Sequence, residues 1–242
     1  MCPGHKKANA MQDRYWGMHP DKNRALMHTK RMLPEFVCDA VNLEGLNFTI
    51  PEIQTLLDGI TVGGHKISDQ QVALNQAEAW RYIFSVIEDN NFKVDIPTVN
   101  EIHKIAAKED AMTWGKFRDG IVTIAGTPYT PPTAGQLAEQ FNLMLSSAVE
   151  YRDVYDRAIH YFLVMARNQF YHDVNKRTGR FVMNGFLLQN GFPGINIPAK
   201  RKLEFNTLML EFYETNSQGP MNQFIRSCLD TRIIEDMKIH PR

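Results

Sequence analysis

The stretch Gln169-Phe170-Tyr171-His172-Asp173-Val174-Asn175-Lys176-Arg177-Thr178-Gly179-Arg180 decides how the chain is read. An apolar helical segment leads into it and another leads out. Between them lies a tight polar run with Asp173, Asn175, Gly179 and the cations Lys176, Arg177 and Arg180. Cations at the start of a helix, where backbone N–H groups point the same way and lack partners, make an anion site. Asp173 beside them is placed to hold a hard cation that travels with phosphate. The stretch therefore reads as a phosphate and Mg²⁺ site. Its first residue, Gln169, is an amide that can orient by hydrogen bonding but cannot accept a proton near neutral pH.

On the N-terminal side, residues 152–168 are expected to be helical, with Tyr155, Ile159, Phe162, Leu163 and Ala166 on one apolar face. On the C-terminal side a helix is expected from Asn175 to Asn190, stopped by Asn190-Gly191. Pro198 opens another through Phe205 and Phe212, and Met221 to Leu229 mark a last one. Further upstream the start signals are frequent. Thr49-Ile50-Pro51-Glu52 is a capping box whose helix ends at Gly59. Ser68-Asp69-Gln70-Gln71 opens a long helix carrying Trp80, Ile83, Phe84 and Ile87. Thr98-Val99-Asn100-Glu101 and Thr133-Ala134-Gly135-Gln136 open two more. Residues 21–38 read as one helix, and residues 1–20 as a polar, solvated tail in which His5 and His19, with His28 beyond, have no compact metal-site spacing.

Residues 116–132 differ from the rest. Ile121-Val122-Thr123-Ile124 is β-branched and apolar between Gly120 and Gly126, and the prolines after it exclude helix. A short β-hairpin flap is expected there. The fold class is therefore mostly α with one flap, in one domain on which the N-terminal third packs.

The bulk numbers narrow the function. Zero net charge gives no field toward nucleic acid or an anionic membrane. No apolar run is long enough to span a bilayer, and no secretory leader is visible. Cys2, Cys38 and Cys228 are odd in number and far apart, which suggests free thiols in a reducing cytoplasm.

The opening stretch resembles the signature of the Fic/Doc (Fido-fold) family, His-Pro-Phe-x-Asp/Glu-Gly-Asn-Gly/Lys-Arg-x-x-Arg. Asp173, Asn175, Lys176, Arg177 and Arg180 match it, and Tyr171 stands in for phenylalanine. Gln169, Phe170 and Val174 depart from it, at the histidine, proline and glycine positions. Gly115-Lys116-Phe117-Arg118 with Ile124, Tyr129 and Pro131-Pro132 resembles the family's flap. Leu43-Glu44-Gly45, with Ala40 at the place of a serine, resembles the inhibitory segment of some members. The resemblance implies a Fic-like domain over 35–242, including an inhibitory segment at 35–47 and a motif loop at 169–180. Residues 1–34 would then be an N-terminal extension and the start of the inhibitory helical region.

The resemblance also implies roles. ATP would lie in the motif loop and AMP would pass to a hydroxyl of a target protein. Asp173 would bind Mg²⁺. Val174, Asn175, Lys176, Arg177 and Gly179 would cradle the phosphates, and Arg180 would reach the terminal one. Glu44 would pair with Arg180 and block productive ATP orientation. A segment of the target protein would dock on the flap, residues 116–132, by strand addition. The family's histidine is the general base, and losing such a base costs on the order of 10²–10⁴-fold in rate. His172 falls at the variable position, where a stacking or solvent-facing role is expected, and His160 reads as a satisfied buried histidine. Two readings stay open: an adenylyltransferase with impaired or altered catalysis, and an inactive pseudoenzyme that binds nucleotide and acts by protein binding. A nucleic-acid binder using Lys176, Arg177, Arg180 and Lys200-Arg201-Lys202 lacks both net charge and a reading motif. Homo-oligomer formation is left open.

Overall fold

A computed structural model describes residues 11–240 of the chain. The described residues form α1 (Lys22–Arg31), α2 (Leu33–Leu43), α3 (Ile50–Leu57), α4 (Ile67–Glu88), α5 (Ile96–Ala106), α6 (Leu137–Ala148), α7 (Val154–Asn168), α8 (Asn175–Gln189), α9 (Lys202–Thr215), α10 (Gly219–Arg226) and α11 (Thr231–Lys238). Short 3-10 turns at Ala134–Gln136 and Ala199–Arg201 precede α6 and α9. No described helix is long and apolar enough to cross a membrane.

The centre is the helical hairpin α7–α8. Nearly every residue of α8 from Arg177 to Leu188 is buried, and α7 buries Val154, Tyr155, Ala158, Ile159, Phe162, Leu163 and Ala166. Small residues let the helices approach closely. A Cβ on Gly179 would stand 3.1 Å from the Phe162 carbonyl oxygen of α7, and one on Gly185 only 2.2 Å from the Phe92 ring. Around the hairpin pack α4, α5, α6, α10 and α1. α2 and α3 lean on α4, and the turn before α9 rests on α2.

Local chemistry explains most boundaries. The Thr49 box forms as expected, with Glu52 and Thr49 satisfying each other's backbone N–H. Gln136 Oε1 accepts from the Thr133 amide at 2.9 Å, as its spacing predicts. Elsewhere the structure corrects the sequence reading. Residues 21–38 are two helices, broken at Met32, and α2 runs on to Leu43. Pro34 in the first turn of α2 has no N–H to continue α1, so the chain restarts there. α4 begins one residue before Ser68, whose hydroxyl turns to Asp69, so that box does not form. α5 is capped by Asp95, which accepts from the Thr98 amide at 2.9 Å, and so begins before Thr98. The expected last helix ends at Arg226, and a further one, α11, follows under an Asp230 cap.

The expected β-hairpin flap is not formed: residues 116–132 contain no strand. A β-branched run becomes a strand only with a partner for its N–H and C=O groups, and Pro128, Pro131 and Pro132 remove donors from the second arm. The segment is tied down instead by Arg118, which is 3% exposed. Its Nε donates to Gln169 O at 2.6 Å and its Nη1 to Gly120 O at 2.6 Å. Its Nη2 donates to Pro132 O, and its amide donates to Phe170 O at 2.9 Å. One cation thus gathers both arms of the segment onto the loop between α7 and α8.

Residues 11–20 are not a solvated tail. Asp13 accepts from the amides of Tyr15, Trp16 and Met18, and Met18 is buried. Trp16 packs edge-on against Tyr155 of α7. Arg226 of α10 donates to Asp153 at 2.5 Å and to Asp156 at 2.6 Å while lying over Tyr15 and Trp16. His19 stacks on His240, and His28 pairs with Asp236 at 2.7 Å. His5 and Cys2 lie outside the described residues, while Cys38 and Cys228 are free thiols.

Candidate functional site

Six residues, 169–174, join α7 to α8, and both ends of this turn are left-handed without glycine. Gln169 has φ +49° and Val174 φ +60°. For a β-branched residue such as Val174 this backbone is strained, so the surroundings must impose it. Phe170 and Tyr171 are fully buried and supply that constraint. Phe170 packs on Phe117 and Phe141. Tyr171 stacks face to face on His103 of α5 at 3.6 Å, and its hydroxyl donates to Asn100 Oδ1 at 2.8 Å.

The loop's polar groups are largely used within it. Asn175 accepts from the Tyr171 amide at 2.9 Å and donates to Tyr171 O at 2.8 Å and to Gln169 Oε1 at 2.9 Å. Gln169 Nε2 donates to Ala166 O at 2.6 Å. Both ends of the Gln169 amide are therefore bonded, and the residue knits the end of α7 to the start of α8. The side chain of Asn175 is spent on loop shape. Asp173 is exposed, and one of its oxygens accepts from the Val174 amide at 2.6 Å. Gly179 faces α7, where it serves the helix crossing.

His103 holds the loop from below. The Gly115 amide donates to its Nδ1 at 3.1 Å, which assigns the proton to Nε2, directed at the Asp173 carbonyl at 3.3 Å. Burial pushes its pKa down to about 4, nearby Arg177 adds to the shift and the Asp173 carbonyl opposes it, so the ring is neutral. Sequence reading missed His103. The signal available was a histidine at helical spacing among Val99, Ile102 and Ala106 on a buried face.

The cations of α8 differ in environment. Lys176 borders a cavity of about 370 Å³ together with Gln169, Thr123 and Ile124 of the flap segment and Met209 and Tyr213 of α9. Burial lowers its pKa; Arg180 and Arg177 push the same way, and Glu44 and Asp173 oppose. Arg177 Nη2 donates to Asp110 Oδ2 at 2.6 Å, but its Nη1 is buried with no partner. Both terminal nitrogens of Arg180 are likewise buried and unpartnered. Glu44, at the end of α2, places Oε1 3.9 Å from Arg177 Nε and 4.0 Å from Arg180 Nη2. These are charge contacts longer than a hydrogen bond.

Burial alone would raise the Glu44 pKa, but Arg180 and Arg177, then Lys176 and Lys202, outweigh it and bring the pKa below the usual carboxylate value. Arg180 is drawn down to about 10 by burial, with Glu44 opposing. A carboxylate at the negative end of a helix is disfavoured by the dipole, so the arginines account for its position. Lys202 helps by placing Nζ 3.4 Å from the Asn42 carbonyl of α2. A cavity of about 30 Å³ lies against Arg177, Arg180 and Gln76, whose Oε1 is also buried and unpartnered. That volume suits a water or two. Buried guanidinium N–H groups without partners are costly, and water in that cavity would satisfy some of them.

Among the described residues no three His, Cys, Asp or Glu are grouped to hold a metal. A metal at Asp173 would take its other ligands from water and phosphate oxygens, the usual arrangement for Mg²⁺. His172 pairs with Asp119 at 3.1 Å, and its ring does not border the Gln169 cavity. His160 is a satisfied buried histidine, as expected: it bonds Ser147 Oγ at 2.9 Å through Nε2 and meets Gln218 through Nδ1.

A helical hairpin whose connecting loop leads into three cations, with a carboxylate from a neighbouring helix set against two of them, defines a mostly α-helical domain with a cationic turn at its centre. Residues 93–187 match the Fic/DOC family, so the chain carries a Fic/DOC family domain. It is 25% identical over 219 residues to the protein adenylyltransferase Fic of Aedes aegypti, covering 87% of this chain and 42% of that protein. Against the Drosophila willistoni protein of the same name it is 26% identical over 221 residues, with 87% and 42% covered. The chain thus spans less than half the length of the curated relatives it matches. In structure it is similar to a C. elegans Fic-1 fragment, with a TM-score of 0.74 at 18% identity, covering 88% of this chain and 64% of the other. It is also similar to a Fic domain containing signaling protein from Bacteroides thetaiotaomicron, with a TM-score of 0.71 at 16% identity over 91% and 89%.

Proposed function

We propose that the chain binds ATP with Mg²⁺ at the loop 169–180, and that it is nominally an adenylyltransferase acting on a protein hydroxyl, with catalysis impaired at Gln169. The observation that carries this reading is the convergence of Lys176, Arg177 and Arg180, in the first two turns of α8, on the Glu44 carboxylate. Lys176, Arg177 and the first-turn amides of α8 would hold the phosphates, and Arg180 the terminal one. Asp173 would hold Mg²⁺, which supplies charge neutralisation across the phosphates. In the transfer, a hydroxyl oxygen of the target bonds the α-phosphorus, the bond to the bridging oxygen breaks, and pyrophosphate leaves. The hydroxyl proton needs an acceptor. The Gln169 amide has none to offer, and both of its ends are already bonded within the loop.

Glu44 is proposed as the inhibitory carboxylate within segment 35–47. Its distances to Arg177 and Arg180 support this, because phosphate oxygens would seek the same two guanidinium groups. The target protein is proposed to dock along 116–132, where Ile121 stands 90% exposed. The satisfied amide of Gln169 favours a second reading, an inactive nucleotide-responsive protein-binding module.

Transfer of label from α-³²P-ATP to protein, together with calorimetric binding of Mg-ATP, separates the two. Transfer by the native chain that disappears in Asp173→Ala establishes the enzyme. Binding without transfer, with transfer appearing in Gln169→His, identifies the missing base as the defect. Absence of Mg-ATP binding in the native chain and in Glu44→Gly alike would refute the phosphate site.

A further inference from the structure

Arg177 is held by a second carboxylate that no motif marks. Its Nη2 donates to Asp110 Oδ2 at 2.6 Å, closer than either arginine comes to Glu44. Asp110 belongs to the loop 107–115 that follows α5, and this loop is built rather than loose. Asn75 of α4 donates to Lys108 O at 2.7 Å, and neighbouring Gln76 donates to Ala106 O at 3.2 Å. The Asp110 amide donates to Ala107 O at 3.0 Å, and Ala111 beside it is buried. The carboxylate therefore reaches Arg177 from the α5 side, whereas Glu44 reaches it from α2.

We propose that Asp110 is a second inhibitory carboxylate, occupying Arg177 as Glu44 faces Arg180; the inference rests on the phosphate-site reading above. A phosphate oxygen bound by Arg177 would compete with Asp110 for the same Nη2–H, and Asp110 already neutralises that guanidinium. Burial identifies which partner moves. The Arg177 side chain is 8% exposed and fixed in α8, while that of Asp110 is 27% exposed and can turn into water. Because the two carboxylates sit on separate elements, removing Glu44 leaves Arg177 paired. The block is thus in two parts, and release of α2 lifts only one of them.

The test is calorimetric titration of Mg-ATP into the full chain, native and as Asp110→Asn, Glu44→Gly and the double variant. Asparagine keeps the shape and loses the charge, and Asp110→Ser is carried alongside should the amide disturb the loop. Asp110→Asn is expected to bind roughly tenfold more tightly than the native chain, the scale of one charge-assisted hydrogen bond. The double variant should bind more tightly than Glu44→Gly by a similar factor. If Glu44→Gly tightens binding while both Asp110 variants leave it unchanged or weaker, the inference is overturned and the proposed function stands. If none of the proteins binds Mg-ATP, the phosphate site itself is wrong and the second carboxylate falls with it.

Discussion

Lowering the pH from 7.5 to 4 should cost the fold about 3 kcal/mol through His103 alone. The imidazole is fully buried, neutral, and engaged on both nitrogens, by the Gly115 amide and the Asp173 carbonyl. In the unfolded chain it titrates near 6.5, and in the fold near 4. Between those values the unfolded chain binds a proton that the folded chain refuses. Stability is therefore complete above about pH 6.5, falls as the pH falls through that window, and is fully lost below about 4. At about 1.36 kcal/mol per pH unit the gap from 6.5 to about 4 amounts to about 3 kcal/mol. The loss also has an address: a proton on Nδ1 would face the Gly115 N–H, so the contact between His103 and the loop that follows α5 breaks. Urea denaturation of the native chain and of His103→Asn at pH 7.5, 6, 5 and 4.5 reads the effect. The variant starts less stable, having lost the stack on Tyr171, but should show a shallower decline. His160, whose pKa burial also lowers, titrates equally in both proteins and cancels in the comparison. Parallel declines in the two proteins would refute the buried neutral imidazole as the source.

Gly185→Ala should destabilise by about 1–3 kcal/mol, because the added Cβ meets the buried Phe92 ring. This outweighs the ~1 kcal/mol that alanine offers a helix, and an unchanged urea midpoint would show that the ring yields freely. Arg226→Ala leaves Asp153, whose side chain is 6% exposed, without its cation and should cost about 3–5 kcal/mol. The same change removes the cation lying over Tyr15 and Trp16 and loosens residues 11–20, so limited proteolysis should cut ahead of α1 at a protease dose the native chain resists. Cleavage at equal rates would count against the pinning role.

Much of the candidate site was legible because its parts are adjacent in sequence. Asp173, Lys176, Arg177 and Arg180 fall within two turns of a helix start, and helix periodicity alone brings the cations together. The Thr49 and Thr133 boxes were equally legible, since a cap bonds a residue three positions away. Glu44 was found through a resemblance, and its approach to Arg177 and Arg180 depends on how α2 packs. The expected strand at residues 121–124 failed because β-branched composition describes one side of a ladder and says nothing of the other. The break at Met32 is also a local feature, since Pro34 lies two residues on and cannot donate to continue α1.

The sequence by itself determined most of the helices, their apolar faces, and the charge at the start of α8, all set by steric and hydrogen-bonding rules acting over a few residues. Tertiary structure decided which carboxylates meet those charges. Asp110 lies 67 residues from Arg177 along the chain. It also decided that Arg118 ties a proline-rich segment to the loop and that His103 lies under Asp173. Such pairings follow from helix packing, which positions each side chain through contacts among elements far apart in the chain, and no local pattern records them.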